Sequence, residues 1–462
     1  MTSSSTRRHF LEMAGVTAGM AGWSAVPPSG SAPQATTAVG LNPNAGARPK
    51  VAALASVYSY LSHAYHIVGR FLDGFPVYEA GAEVLHRPPL ELASLYIEQT
   101  AAATDLGQAK ARRHGVRLSP TIDDALTLGT GKLAVDAVLL IAEHGDYPYN
   151  EKLQKLYPRG KYFRAVLEVF RSSGRAVPVF IDKHLSYSRA EAREMVEQAR
   201  AQDVPLMAGS SLPVTWRLPA LEIPLGRRCH DVLVASRGDL EIFGFHALET
   251  LQCMAERRDR RGKPQGVAAV TCLEGDGVWE AGDRGAWSWK LLEHALGRSH
   301  TRNPGDIKQN TRDFRPPAPP GRDVPTKLRH PIAFLVEYVD GLRATVLILN
   351  GHVDDTTIAA RLDDAAGGET IVSTLMYLPA PPGASFFNPL VLRIEDFFHA
   401  RKPPYPVERT LLTGGILDVA LESRVRDHRR IETPELAAID YQAPGDSGYI
   451  RTPLVNPEPN RI

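Results

Sequence analysis

Ionisable residues gather wherever an apolar run of this chain ends. His63 and His66 follow the first run and Glu98 and Gln99 the second. Glu143-His144-Gly145-Asp146-Tyr147 follows the third, Asp182-Lys183-His184 the fourth, and Ser210, Ser211 and Trp216 the fifth. Imidazoles and carboxylates in a cleft move protons, and a lysine beside a developing alkoxide stabilises its charge. His63, His66, Glu143, His144, Asp146 and His184 also include donors of the kind that bind a divalent metal for lyase, isomerase or hydrolase chemistry. His63 and His66 are spaced to share a helix face, but no HExxH or equivalent pattern occurs, so no metal is assigned.

The elements that must position these residues alternate strand and helix. Strands are expected at Val51–Val57, Leu92–Ile97, Val135–Ala142, Val177–Ile181 and Pro205–Ala208. Helices are expected near His63–Leu72, Asp105–His114, Ile122–Leu128, Tyr162–Ser172 and Ser188–Ala201. Buried parallel strands read as unbroken apolar runs, and crossover helices join them. The expected fold is therefore α/β: a Rossmann-like doubly wound parallel sheet over 51–210, with the ionisable residues on the carboxyl edge where such sheets bind ligands. Beyond it, 211–462 reads as an α+β domain with an open, mainly antiparallel sheet. Ile332–Tyr338, Asp340-Gly341 and Ala344–Leu349 spell a hairpin, with helices at Gly244–Arg257 and Trp287–Leu296. His300–Lys327 reads as a long surface loop. An open sheet offers a face to another subunit, which makes a homo-oligomer the default.

The 53 basic and 52 acidic residues nearly cancel, leaving no electrostatic footprint for nucleic acid or an anionic membrane and favouring a small, neutral partner. Cys229, Cys253 and Cys272 lack paired spacing and read as small buried apolar residues. Gly129-Thr130-Gly131-Lys132 has part of a phosphate loop but follows a helix and precedes a strand, so it reads as a helix-ending turn. Arg257–Arg261 reads as a solvated helix end.

At the N-terminus, Thr6-Arg7-Arg8-His9-Phe10-Leu11 precedes a glycine-rich apolar run from Met13 to Val26. Residues 1–26 read as a twin-arginine signal peptide and 27–50 as a linker containing the cleavage site. The chain is expected to meet the twin-arginine translocase and to be periplasmic or otherwise exported. The run is too short for a stable membrane anchor.

Val51 to Trp216 resembles the N-terminal half of the glucose-fructose oxidoreductase, inositol dehydrogenase and MocA (Gfo/Idh/MocA) family, and the remainder resembles its C-terminal sheet domain. Phe180-Ile181-Asp182-Lys183-His184 stands where the family carries Glu-Lys-Pro, and Gly244-Phe245-His246-Ala247-Leu248-Glu249 is similar to the family's Asp-x-Gly-x-His helix opening. Pro406–Thr410 and Glu432-Thr433-Pro434 also resemble its closing segments. The resemblance implies a sugar or polyol oxidoreductase using NAD or NADP, Lys183 and His246 being catalytic, and the expected export adds that the cofactor is tightly held, since no external nicotinamide pool is expected outside the cytoplasm. On that reading, position at the strand ends gives Ser56, Tyr58, Ser62, His63, Glu98 and Glu143 to the cofactor, and His144, Asp146, Tyr147, His184 and Trp216 to the carbohydrate. Two positions depart from the family: Ser56-Val57-Tyr58-Ser59-Tyr60-Leu61-Ser62 replaces the glycine-rich turn, and Ile242 stands where an aspartate is expected four residues before His246. The alternatives are a non-redox enzyme, metal-assisted or not, or a catalytically inactive sugar-binding protein on the same fold.

Overall fold

The first strand, β1 (Lys50–Ala55), shows why the early runs become a parallel sheet: Val51 to Ala55 are all fully buried, with odd and even residues feeding two different cores. The computed structural model describes residues 48–100, 104–312, 330–364, 366–379 and 383–455. The twin-arginine segment and most of the linker lie outside the described residues.

After β1 come α1 (His63–Asp73), the ribbon β2 (Phe75–Glu79) and β3 (Ala82–His86), β4 (Glu91–Ile97), α2 (Gly107–His114), β5 (Arg117–Leu118) and α3 (Ile122–Thr127). Then follow β6 (Ala137–Ile141), α4 (Arg159–Ser173), β7 (Val179–Asp182), α5 (Arg189–Ala201) and β8 (Leu206–Gly209). The sheet order is β5-β4-β1-β6-β7-β8, parallel throughout. This is the doubly wound order, whose direction of winding reverses between β1 and β6, and the loops after those two strands flank the crevice that results. The expected strands and helices appear within a few residues of their expected bounds. The β2–β3 ribbon and the short β5 were not anticipated.

Gly129 to Lys132 does follow α3, with Leu128, Gly129 and Gly131 at positive φ, as a helix-ending turn requires.

The second sheet runs β16-β11-β12-β13-β10-β14-β15-β9. In chain order its elements are β9 (Trp216–Leu218), β10 (Cys229–Ser236), α6 (Ile242–Ala255), β11 (Val267–Glu274), α7 (Asp276–Asp283), α8 (Trp289–Leu296) and α9 (Ile307–Arg312). There follow β12 (Ile332–Tyr338), β13 (Arg343–Ile348), β14 (Thr356–Asp363), β15 (Glu369–Tyr377), α10 (Phe387–Ala400), α11 (Val407–Val425), β16 (Ile431–Glu432) and α12 (Pro434–Ala437). Only β10 and β13 pair in parallel. The β12–β13 hairpin turns at Asp340-Gly341 as expected, Gly341 supplying the positive φ that the turn needs.

Packing corrects three expectations. The second sheet is not bare on its outer side: Trp279, Trp287, Leu291 and Leu292 from the α7–α8 region bury Leu233, Ala333 and Leu347, so much of the face expected to pair with another subunit is covered within the chain. Arg257 and Arg258 are not solvated. Both are 4 % exposed, Arg257 donating to the Ile223, Pro444 and Gly445 carbonyls and Arg258 to Asp340 and Gln265. Within the expected loop after His300, residues 307–312 form α9, and 313–329 lie outside the described residues.

Both sheets belong to one compact unit, 47–462, held by two late helices. Phe387, Leu390, Ile394 and Phe397 of α10 join the core beneath β1 and β4. α11 packs against both α5 and α6, with the fully buried Arg409–Glu256 pair at its start. The three cysteines are free and buried, as expected. Among the described residues no helix is long and apolar enough to cross a membrane.

Candidate active site

The carboxyl ends of β6 and β7 each place a non-glycine residue in the left-handed region, His144 at φ 69° and Lys183 at φ 64°. That conformation costs on the order of 1–3 kcal/mol and is kept where the surroundings enforce it, commonly at sites. For Lys183 the enforcement is visible: its N–H donates to the Gly209 carbonyl at 3.0 Å, stitching the end of β7 to β8. Its Nζ turns inward to Glu143 Oε1 at 2.7 Å, and Glu143 Oε2 receives Arg159 Nη2. Lys183, Glu143 and Arg159 are each 2 % exposed or less. The two cations hold the Glu143 carboxyl well below its usual range against the opposing effect of burial.

These strand ends open on a cavity of about 540 Å³. One wall carries His63, His66, His144 and Lys183, and His246 stands on α6 nearby. The opposite wall, from the second sheet and its loops, carries Arg237, His300, Thr301, Asp354, Asp355 and Thr356, with Phe386 and Phe387 at one end. Arg237 Nε meets Asp354 at 3.0 Å, and Asp355 accepts the His300 N–H at 2.7 Å. Two cations and two carboxylates face the space, so the lining is close to neutral.

The imidazoles have distinct settings. His63 Nδ1 is 2.6 Å from Asp182 Oδ2, which fixes the ring. His66 stacks on Phe387 and His144 lies against His63, and the Nδ1 of both is buried without a partner. Burial pushes His66 and His144 each down to about 3, so both rings are neutral. His246 is likewise held well below its usual value, by burial first and then by Lys183. Its Nδ1 lies 2.9 Å from Ser210 Oγ. Among the described residues no group of three or more His, Cys, Asp or Glu is placed to hold a metal ion.

The remaining candidates are engaged elsewhere. Ser56 Oγ donates to the Glu143 carbonyl, Tyr58 is buried at 1 % exposure, and Ser62 caps α1 through the Tyr65 N–H. Glu98 takes Tyr147 Oη at 2.5 Å and Lys161 Nζ at 2.9 Å. Gln99 and Asp146 exchange two side-chain-to-backbone hydrogen bonds. His184 packs on Phe245 away from the cavity, 3.8 Å from Glu241. Trp216 gives its indole N–H to the Thr452 carbonyl, off the cavity as well. Sequence reasoning missed Arg237, His300, Asp354 and Asp355, which no strand-end rule connects to the first sheet.

This arrangement bears on a dinucleotide. A diphosphate would lie over the turn after β1, with a ribose at the end of β4. There the Gln99–Asp146 and Glu98–Tyr147 contacts reach from the end of β4 across β1 to the end of β6. Neither Ser56, Tyr58, Ser62 nor Glu98 lines the cavity. As arranged, these four residues are engaged within the fold, whereas the cavity around Lys183 and the histidines has room for a small polar molecule.

Burial also sets a pH dependence. Glu241, 2 % exposed, is raised from the usual 4.5 to about 8, chiefly by desolvation. The folded state then holds a proton that the unfolded chain releases, so stability falls as pH rises from about 4.5 through about 8, by at most roughly 1.4 kcal/mol per pH unit from this one group. Glu249, raised to about 7, adds to the fall over the lower part of that window. Glu241→Gln is expected to flatten the slope above neutral pH, as read from urea midpoints across the range. An unchanged slope would mean that Glu241 ionises normally.

In architecture, a six-stranded parallel sheet is joined to a large, mainly antiparallel sheet, with a polar cavity at the strand ends. No protein-family model matches the sequence, and no curated protein matches it. Solved structures similar to it include GenD2 from gentamicin A biosynthesis in complex with NAD, at 16% identity and a TM-score of 0.48, over 85% of this chain and 99% of that one. Another is an oxidoreductase from Agrobacterium radiobacter in complex with NAD+, L-tartaric acid and magnesium, at 13% identity and 0.48, over 83% and 98%. A Gfo/Idh/MocA family oxidoreductase from Vibrio cholerae gives 13% and 0.45, over 82% and 98%.

Proposed function

We propose that this chain is a divergent, exported member of the Gfo/Idh/MocA group acting on a neutral sugar or polyol. The observation that carries the reading is Lys183 beside His246 at one near-neutral cavity, a cation and an uncharged base on facing elements. The base accepts the proton of a substrate hydroxyl, and the ammonium stabilises the alkoxide that results. His63, fixed by Asp182, lines the same cavity together with His66 and His144 and gives it a largely imidazole wall. Export rests on Thr6 to Leu11, whose twin-arginine pattern is that of cargo folded before translocation.

Nicotinamide-linked oxidation or reduction is the first form of this reading, suggested by the family resemblance and by the NAD found with GenD2. Proton transfer without hydride transfer, as in an isomerase or lyase, is the second, favoured by the side chains that span the turn after β1. Mass spectrometry of small molecules released on denaturing the purified protein separates them. Stoichiometric NAD or NADP is the expected result for the first. Its absence, persisting after incubation with either nucleotide, removes the first.

A further inference from the structure

His246 has lost the aspartate expected one helical turn before it, since Ile242 stands there, yet its ring is not left without a polar partner. One turn later on the same helix comes Glu249, fully buried and on the same face by its three-residue spacing. Ser210, at the end of β8, bridges the two: its Oγ is 2.9 Å from His246 Nδ1 and 2.5 Å from Glu249 Oε2. The Ser210 N–H also donates to Glu249 Oε2, at 2.7 Å, which fixes the carboxylate against the strand end. Gly209, at φ 140°, leaves room for this approach: a Cβ there would sit 2.6 Å from Tyr405 Oη and 2.9 Å from Glu249 Oε1.

Donor and acceptor roles along this line are coupled. A hydroxyl has one proton to give, and a carboxylate only accepts. If Ser210 donates to Glu249, its oxygen is left to accept from His246, so the imidazole proton must sit on Nδ1. The Nε2 lone pair then remains for the cavity, and a proton taken from a substrate hydroxyl goes there, leaving an imidazolium whose Nδ1–H still points down the line to the carboxylate. Were Ser210 to donate the other way, Nε2 would carry the proton and the ring could not act as a base.

We propose that Ser210 and Glu249 are positioning residues for His246, forming a carboxylate–hydroxyl–imidazole line that replaces the absent aspartate and fixes the Nδ1–H tautomer. This rests on the reading of His246 as the proton acceptor. Burial, with Asp182 and against the Ser210 hydrogen bonds and Arg409, raises Glu249 to about 7, with Tyr405 also beside it, so the carboxylate that the line needs predominates above neutral pH.

Long-range 1H–15N spectra of the full-length protein, with His246 assigned through His246→Asn, read the tautomer directly and without a substrate. Above neutral pH the wild type is expected to show Nδ1 protonated and Nε2 bare. Ser210→Ala should lose that pattern and Ser210→Thr should keep it. Glu249→Leu, which removes the acceptor and frees the hydroxyl to donate to Nδ1, should move the proton to Nε2. A wild type protonated on Nε2, or a Ser210→Ala spectrum identical to wild type, would overturn the line. If the tautomers behave as expected but His246→Asn retains full turnover, the line stands and the reading of His246 as base fails.

Discussion

Glu143→Gln is expected to destabilise the fold by roughly 3–5 kcal/mol, the range for breaking a buried ion pair by removing one partner. The reason is the count of charges. Among the described residues Glu143 is the carboxylate ion-paired to both buried cations, Lys183 and Arg159, and glutamine keeps its shape while leaving both uncompensated and adjacent. A lower urea midpoint at constant slope is the expected signature. Arg159→Met should cost less, because Glu143 and Lys183 remain a balanced pair. Replacing all three with apolar residues of similar volume should recover most of the loss, since a well-packed apolar substitute often matches a buried ion pair. The sign with pH also follows. Because the folded carboxyl sits below its unfolded value, its contribution is present above about 4.5 and disappears as pH falls through the depressed value, opposite to Glu241. Equal stability of Glu143→Gln and wild type would mean that the two Glu143 ion pairs contribute nothing net to folding.

That cluster also shows what the sequence discloses and what it withholds. The strands beneath it were legible because a parallel strand buried on both faces is an unbroken apolar run, as in Val51–Ala55 and Ala137–Ile141. The edge that binds ligands follows from the fold, which is why His63, His144 and Lys183 could be named. Position after a strand does not say which way a side chain turns. His184 follows Lys183 directly yet packs on Phe245, and Trp216 begins a strand of the second sheet. Glu143 was legible as a site residue, but not as the counter-ion of Arg159, 16 residues on, because pairing across a loop leaves no periodic trace. The ribbon from Phe75 to His86 was missed for a different reason: its second strand is almost wholly exposed, so neither face carries the alternation that marks a half-buried strand. Arg257 and Arg258 misled in the opposite direction, their charges being answered by backbone carbonyls and by Asp340, 82 residues from Arg258.

Lys183→Met and His246→Asn should each remove most of the turnover, by about 10²–10³-fold for the cation and about 10²–10⁴-fold for the base. Neither change should affect folding as Glu143→Gln does: Lys183→Met leaves the balanced Glu143–Arg159 pair, and His246 is neutral already. The two should not be additive. Both act on one oxygen of the substrate, the histidine removing its proton and the lysine stabilising the charge left behind, so once either is gone the other has little to assist. The double variant is therefore expected to lie within a few-fold of the worse single one, with the loss in kcat rather than KM, because neutral ground-state hydroxyls gain less from a cation than an alkoxide does. Steady-state rates on a panel of neutral sugars and polyols, run with thermal melts of each variant, measure this. Full additivity would separate the two residues into independent roles. A loss confined to KM would make Lys183 and His246 binding groups, and the protein a carbohydrate binder rather than an enzyme.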